Sequence, residues 1–551
     1  MTDRPRGISL RARTIAAAAR RSGAVLAVAC WASACAHPSR TAPSPVLAPL
    51  GGVVEDRARV MQLTSHATTD GTLLRTPSTA LGTSAAAGFH VLLPSATLVY
   101  NDAIAYGPNL GNLWAGRGTN VLASAGAAYE SRYVRVVVAP EAAHSDNRVF
   151  EVLPGLVRGR SAFSSPWHAG VASADLPLRF GTAPITLVSP GQSSLTVRAG
   201  AVAVGVSSEE QWWGPGIRNA LLLSNNAGSV PHAFVRTSRP LRTPLGAVEA
   251  RWIVGALTES TFFDSIPSND TRSLGALAVT LRPSIAPNVT LGLAHSVLRA
   301  AARGRVPASA LFDPLTRWRA GVQLDTAARP FSAQPDTTRD ADDLVGLWAR
   351  WVFPNDGLEI YGETVRAGVP RQLREWLVVP QAGFGYTIGL QWAGTARASG
   401  RLRWQAEVSS VEQTADFAGR ALADLYTGAA TPQGFTQRGR VLGAATGPGS
   451  SSQFVGADWL ATGWQAGLTA TRVRWENDAM YRQPAPNFFR HDVSLLFGVR
   501  GGLLLPHATV LASFEAGRRD NYLFQNGFNN PGGFRTIDVP MTTARITVTS
   551  R

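Results

Sequence analysis

Leu402-Arg403-Trp404-Gln405-Ala406-Glu407-Val408-Ser409 sets apolar side chains at even positions against polar or charged ones at odd positions. Successive side chains on a strand point to opposite faces, so this rhythm predicts a strand with one apolar and one polar face. Such a segment is also long enough to cross a bilayer when tilted. The rhythm recurs at Leu195, Val197, Ala199, Ala201 and Ala203, and at Leu358, Ile360 and Gly362 against Glu359, Tyr361 and Glu363. It returns at Ala508, Val510, Ala512 and Phe514 against Thr509, Leu511, Ser513 and Glu515. From Phe89 onward the chain reads as short alternating segments separated by turn residues.

Only 16% of the 551 residues are charged, and the mean hydropathy is +0.01. That is little charge for a soluble protein, yet far too polar for a bundle of membrane helices. A β-barrel fits both facts, because its lipid-facing residues alternate with polar interior ones. A closed barrel also satisfies every backbone group inside lipid, which an open sheet does not. The expected fold is therefore all-β, a large transmembrane antiparallel β-barrel over residues 89–551. A secreted β-sandwich or propeller is the alternative. Trp114, Trp167, Trp252, Trp318, Trp348, Trp351, Trp376, Trp392, Trp459 and Trp475 are spread along this region, and some are expected to form an interfacial girdle.

Ahead of the strands, residues 1–36 read as an export signal. Arg4, Arg6, Arg11, Arg13, Arg20 and Arg21 form a basic region, Gly23 to Ala34 an apolar core, and small residues follow. Cleavage before Cys35 would resemble a lipoprotein site, although Ala32 stands where leucine is usual. Removing this leader takes away six arginines and Asp3, lowering the formal charge from +15 to +10. Residues 37–88 form a periplasmic linker. Within it Val53 to Leu63, with apolar residues at 53, 54, 60, 61 and 63, suits one short amphipathic helix. Cys30 and Cys35 are the two cysteines, so the body has neither a disulfide nor a thiolate metal site.

Lysine and arginine total 52 against 37 acidic residues, and all 52 are arginine. A pI near 10.9 favours anionic partners: acidic glycans, phosphates or lipid headgroups. The export signal argues against nucleic acid.

The densest stretch of special residues is Ser208-Glu209-Glu210-Gln211-Trp212-Trp213-Gly214-Pro215-Gly216-Ile217-Arg218-Asn219-Ala220-Leu221-Leu222-Leu223-Ser224-Asn225-Asn226. Gly214, Pro215 and Gly216 form a structural turn, where glycine permits positive φ and proline fixes its own. The stretch reads as a rigid loop between two strands, either plugging a barrel or meeting a passing glycan. Sugar recognition needs flat aromatic faces and planar amide or guanidinium groups. Trp212, Trp213, Arg218, Asn219, Asn225 and Asn226 supply them within fifteen positions. Arg438 and Arg440, beside Gly434-Phe435 and Gly439, make a second basic candidate or simply line a polar wall.

Other constellations carry less. Glu209 and Glu210 point to opposite faces if on a strand, a poor acid/base couple. His144, His168, His232, His295, His491 and His507 lack metal-ligand spacing. Asp340-Ala341-Asp342-Asp343 lacks the glycine and glutamate of a calcium loop and reads as a solvated loop. No metal or cofactor is expected.

The Trp212-Trp213-Gly214-Pro215-Gly216 element resembles the capsule assembly Wzi family of outer-membrane proteins. The match continues through Leu222-Leu223-Ser224-Asn225-Asn226-Ala227 and Phe234-Val235-Arg236, which adds Arg236 to the candidate set. It resumes at Phe435-Thr436-Gln437-Arg438-Gly439-Arg440-Val441-Leu442-Gly443 and Thr446-Gly447-Pro448-Gly449-Ser450. The resemblance implies a barrel of about 18 strands that holds capsular or extracellular polysaccharide at the cell surface, lectin-like and not an enzyme. Family members also carry a periplasmic helical bundle, of which Val53–Leu63 would be a remnant. The expectation is thus a monomeric outer-membrane protein in contact with lipid and with an acidic polysaccharide. An anion-preferring porin and a barrel enzyme acting on envelope lipid or glycan are the alternatives.

Overall fold

Arg401–Ser410 is a strand whose odd-numbered side chains turn inward: Arg403, Gln405, Glu407 and Ser409 are buried, while Trp404 and Val408 are exposed. The computed structural model describes residues 46–64, 73–81, 83, 85–155, 159–168, 173–301, 304–317, 340–368, 377, 383–397, 399–413, 425–481, 490–525, 530, 532–535 and 537–550. The basic leader with Cys30 and Cys35, and also Trp318 and Trp376, lie outside these residues.

Eighteen antiparallel strands close one barrel. They are β1 (Gly88–Asn101), β2 (Gly118–Glu130), β3 (in two pieces, Val134–Val138 and Glu141–Ser145), β4 (Ile185–Ser189 and Ser194–Ala199), β5 (Val202–Ser207) and β6 (His232–Thr237 and Leu241–Thr243). β7 (Gly246–Thr258), β8 (Thr271–Pro283), β9 (Val289–Ala300), β10 (Asp342–Phe353), β11 (Leu358–Ala367) and β12 (Phe384–Ala393) follow. β13 (Arg401–Ser410), β14 (Ser451–Leu460), β15 (Trp464–Trp475), β16 (Asp492–Leu504), β17 (Ala508–Asp520) and β18 (Val539–Ser550) complete it. β18 returns to β1 in the register Ser95↔Thr549 to Asn101↔Thr543. The β1–β2 ladder shifts register between Leu92 and Ser95, around Pro94, which has no N–H to give a ladder.

At one end of the barrel successive strands are joined by brief turns, such as 131–133, 200–201 and 461–463; at the other they are separated by long stretches of chain, such as 146–184, 301–341 and 411–450. In outer-membrane barrels the short turns face the periplasm and the long loops the exterior. Trp351, Trp392, Trp404 and Trp464 are exposed, and all four lie near the short-turn end. The girdle is therefore drawn mostly from that rim; Trp348, by contrast, points inward and is buried.

The lumen holds a hydrophobic core. Leu73, Leu74, Trp213, Leu221, Leu222, Leu223, Tyr426, Phe435 and Val441 pack there against inward side chains of the wall such as Ile253, Leu274 and Trp348. Three insertions supply it: the segment before β1, the loop 208–231 between β5 and β6, and the loop between β13 and β14. Leu74–Arg75 and Trp212–Trp213 pair as a small sheet, which ties the first insertion to the second.

The helix α1 (Val53–Thr64) lies in the short-turn mouth of the barrel. Val60 and Leu63 pack on Val352, Ala393 and Leu460, all at strand ends on that rim. Its charged face is paired to the wall. Glu359 on β11 accepts from Arg59 Nε at 2.7 Å and from Arg350 Nε at 2.6 Å, and Arg403 on β13 pairs with Asp56 and with Asp458. Burial alone would raise the Asp56 carboxyl, but the Arg403 guanidinium beside it wins and holds it below the usual range. The acidic run at 340–343 departs from the solvated loop expected. Asp342 and Asp343 open β10 and are buried, and the Asp342 carboxylate accepts from the N–H groups of Ala429, Ala430 and Thr431 and from the Thr431 hydroxyl. A short acidic side chain at a strand start caps a neighbouring turn more cheaply than it solvates, because each N–H it satisfies is otherwise an orphan donor.

Candidate functional site

After Ser207 the chain leaves the wall and crosses the lumen before rejoining it at His232. Two wall carboxylates hold this crossing. Glu363 on β11 accepts from the N–H of Gly216 at 2.5 Å and of Leu221 at 2.9 Å. Glu407 on β13 accepts from the N–H groups of Ile217, Arg218 and Asn219 at 2.7–3.1 Å, and from the Tyr361 hydroxyl at 2.7 Å. Charge-assisted bonds of this kind are about twice as strong as neutral ones. The Gly-Pro-Gly turn exists because of that grip. Gly214 has φ +114°, and a Cβ there would stand 2.3 Å from Glu363 Oε1; at Gly216 the figure is 2.9 Å.

Most of the residues read as sugar contacts in this loop are packed. Trp212 and Trp213 are 2% and 0% exposed; their indole N–H groups donate to Gly216 O and to Gln211 Oε1. Asn219 donates to Ser409 Oγ and Ser452 Oγ, Asn225 to Leu50 O and Asn226 to Val441 O. Arg218 is half-buried, its guanidinium 4.6 Å from the centre of the Phe454 ring. Arg236 lies on β6, half-buried, and donates to Thr237 O. Glu209 is fastened to Ser78, whereas Glu210 hangs from Gln192 through its N–H. Burial holds the Glu210 carboxyl well above its usual range. The two carboxylates have separate surroundings.

The second basic candidate opens onto free space. Thr436–Gln437 and Arg440–Val441 form a hairpin whose two-residue turn is Arg438-Gly439, both at positive φ (47° and 78°). A side chain other than Asn or Asp is rare there, so the turn spends conformational energy to aim Arg438. Its main chain is bolted to the end of β7, Arg438 N donating to Thr258 O and Thr258 N to Gln437 Oε1. Beside it lies a cavity of about 310 Å³ at the long-loop end. Trp114, Phe180 and Phe262 line it, their rings 4.5 Å (Trp114–Phe180) and 5.7 Å (Phe180–Phe262) apart, none of them fully buried.

Two guanidinium groups complete the lining. Among the described residues Arg440 donates to main-chain carbonyls, Gly111 O at 2.6 Å and Leu113 O at 2.7 Å among them, and burial lowers it to about 10. Arg438 Nη1 is buried and, among the described residues, has no hydrogen-bond partner. Buried donors are nearly always satisfied, so an orphan guanidinium N–H on a residue that lines a cavity is a candidate donor to a ligand. Glu259, which lines the same cavity, is raised to about 7, chiefly by burial, with Asp264 and Asp175 adding and Gln433 opposing. Asn112 fixes the floor, its amide donating to Glu141, Ser189 and Ser229. Aromatic faces carry negative charge density that attracts C–H groups, and guanidinium forks match carboxylates and phosphates. The set can hold an anionic pyranose.

The sequence reading brought Arg438 and Arg440 to this place but missed Trp114, Phe180 and Phe262. Their loops are far apart in the chain and carry no shared spacing; only the barrel brings them together. Among the described residues there is no cluster of three or more metal-ligating side chains.

A family model described as capsule assembly protein Wzi matches residues 115–469. Among solved structures, a protein described as an outer-membrane protein involved in group 1 capsule assembly in Escherichia coli and a carbohydrate-binding β-barrel is 11% identical. It covers 83% of this chain and 84% of its own, with a TM-score of 0.52. Two further structures are also similar, at lower TM-scores: OccAB2 of Acinetobacter baumannii (0.41, 7% identity, 84% of this chain and 97% of that one) and OccD3 (OpdP) of Pseudomonas aeruginosa (0.40, 9% identity, 92% and 100%). No curated protein matches the chain.

Proposed function

Because the chain belongs to the capsule assembly protein Wzi family and is an outer-membrane β-barrel, we propose that it binds an exported acidic polysaccharide at the cell surface, lectin-like and without catalysis. The cavity beside the Arg438-Gly439 turn holds one anionic residue of that polymer. The observation that carries this reading is one cavity lined by Trp114, Phe180, Phe262 and Arg438, whose buried Nη1 has no hydrogen-bond partner among the described residues. Trp212, Trp213, Asn219, Asn225 and Asn226 contribute by holding the floor of the lumen in place, and Arg218 and Arg236 by adding positive charge below it. The E. coli structure of the same fold is described as carbohydrate-binding, which supports the reading.

The test is retention of a fluorescent uronate-bearing polysaccharide by the purified barrel, with neutral dextran as control. Wild type should retain the acidic polymer and not dextran. Arg438→Ser and Trp114→Ala should each weaken retention about tenfold, the size of a lost charge-assisted bond or stacking face. Retention unchanged in both variants would remove the cavity from the binding site.

A further inference from the structure

The barrel wall is incomplete beside this cavity. The upper piece of β4, Ile185–Ser189, pairs with β3 along one edge (Glu141↔Ser189 to Ser145↔Ile185). Along its other edge no strand pairs, among the described residues. The neighbour should be β5, but β5 stops at Ser207, opposite Ser194, where the chain turns into the lumen. β6 begins only at His232, opposite Gly255 of β7. Above that level β7 runs on to Thr258, where its edge meets Pro231 O and the Arg438 hairpin. Among the described residues two strands are thus absent over the outer part of the wall. The notch between β4 and β7 spans about 14 Å, three interstrand spacings.

The cavity lies behind this notch, and its lining includes both the inward Leu187 and the outward His144 and Thr186 of the wall strands. Below and beside the notch the outer surface is apolar: Val188 is 75% exposed, and Val204 and Val206 are 45% and 55% exposed. The notch sits toward the long-loop end, which faces the exterior leaflet. An unpaired strand edge against hydrocarbon is costly unless something covers it.

We propose that the notch is a lateral binding site for an anionic glycolipid of the outer leaflet. Its acyl chain lies along the open edge of Ile185–Ser189, and its phosphorylated sugar enters the cavity to meet Arg438. The charge fits: among the described residues Arg438 Nη1 lacks an acceptor, and Arg440, which donates to main-chain carbonyls, adds a second cation. The proposal shares its cavity with the polysaccharide reading and rests on the same Arg438, but it adds a route through the wall and an acyl chain.

The test is native mass spectrometry of the full-length barrel in dodecyl maltoside, titrated with hexa-acylated bisphosphorylated lipid A. Heat-modifiable migration on gels verifies that each variant is folded. One lipid A should remain bound to wild type and to Arg518→Ser, which removes an exposed arginine elsewhere on the long-loop end. Ile185→Trp, which fills the notch, and Arg438→Ser should each weaken retention about tenfold. Equal retention by wild type and both variants would overturn the proposal, as would equal competition by inorganic phosphate. Loss of lipid A binding in Ile185→Trp with polysaccharide retention intact would establish the lateral route as separate from the polymer site. Failure of wild type to bind lipid A while it still retains polysaccharide would sink this inference alone.

Discussion

Gly214 and Glu363 show how one contact dictates a motif. The carboxylate reaches so close that neither Gly214 nor Gly216 has room for a methyl group. Gly214→Ala adds both a clash and a left-handed φ to a residue that disfavours it, together costing about 1–3 kcal/mol. The expected sign is new protease cleavage between residues 208 and 231 in a barrel that otherwise stays folded. Resistance equal to wild type would mean that the turn is not held by Glu363. Glu259 makes a second prediction at this scale. With its carboxyl raised to about 7, it is neutral in acid and becomes a carboxylate lining the same cavity as Arg438 as pH rises. Binding of an acidic saccharide should therefore weaken between pH 6 and pH 8, about threefold for one added charge in a wet site. Glu259→Gln should flatten the profile. The profile should persist in His144→Gln, which removes the imidazole that also lines the cavity.

At the scale of the element, the helix α1 is held by charge more than by oil. It buries few apolar side chains, yet Glu359 bridges Arg59 and Arg350 at under 1% exposure. Breaking a buried pair from one side leaves uncompensated charge and costs about 3–5 kcal/mol. Glu359→Gln strands two guanidinium groups, so faster hydrogen exchange over Val53–Thr64 and tryptic cleavage at Arg57 should follow while the barrel stays closed. Unchanged protection would show that packing on Val352 and Leu460 suffices. The Asp56 carboxyl, held low by Arg403, stabilises the docked helix above the ordinary carboxylate range and loses that contribution as pH falls through its lowered value. The period of two was legible because each strand buries one face only; Arg403, Gln405, Glu407 and Ser409 were inward by rhythm alone. What those inward carboxylates hold was not legible. Glu363 and Glu407 meet main-chain N–H groups some 150 to 190 positions away, and an N–H leaves no trace in a sequence. Trp212 and Trp213 misled for a related reason, since an indole that stacks on sugar and one that fills a core are written with the same letter.

At the scale of the whole molecule, this is a barrel that carries a core in its lumen. Leu221, Leu222, Leu223, Phe435 and Tyr426 pack where a porin would hold water, and the first insertion closes the short-turn mouth with α1. A polymer held at the long-loop end therefore meets a floor and not a channel, which suits retention at a surface better than passage. Conductance separates the two. In planar bilayers the intact protein should give little ion flow. A variant lacking residues 46–87 loses the helix, Leu74–Arg75 and the partners of Glu359, Arg403 and Trp213, so stepwise conductance should appear. Its ion preference should follow the wall charges that lose a partner in the deleted segment, Glu359 and Glu209 among the carboxylates and Arg350, Arg403 and Arg135 among the arginines. Three of the five are arginines, and the chain as a whole is basic, so the opened lumen should prefer anions. Large, steady conductance from the intact protein would mean that the lumen core does not seal. The floor on which the polysaccharide reading stands would then be gone, because a polymer residue at the cavity would sit at the rim of a pore.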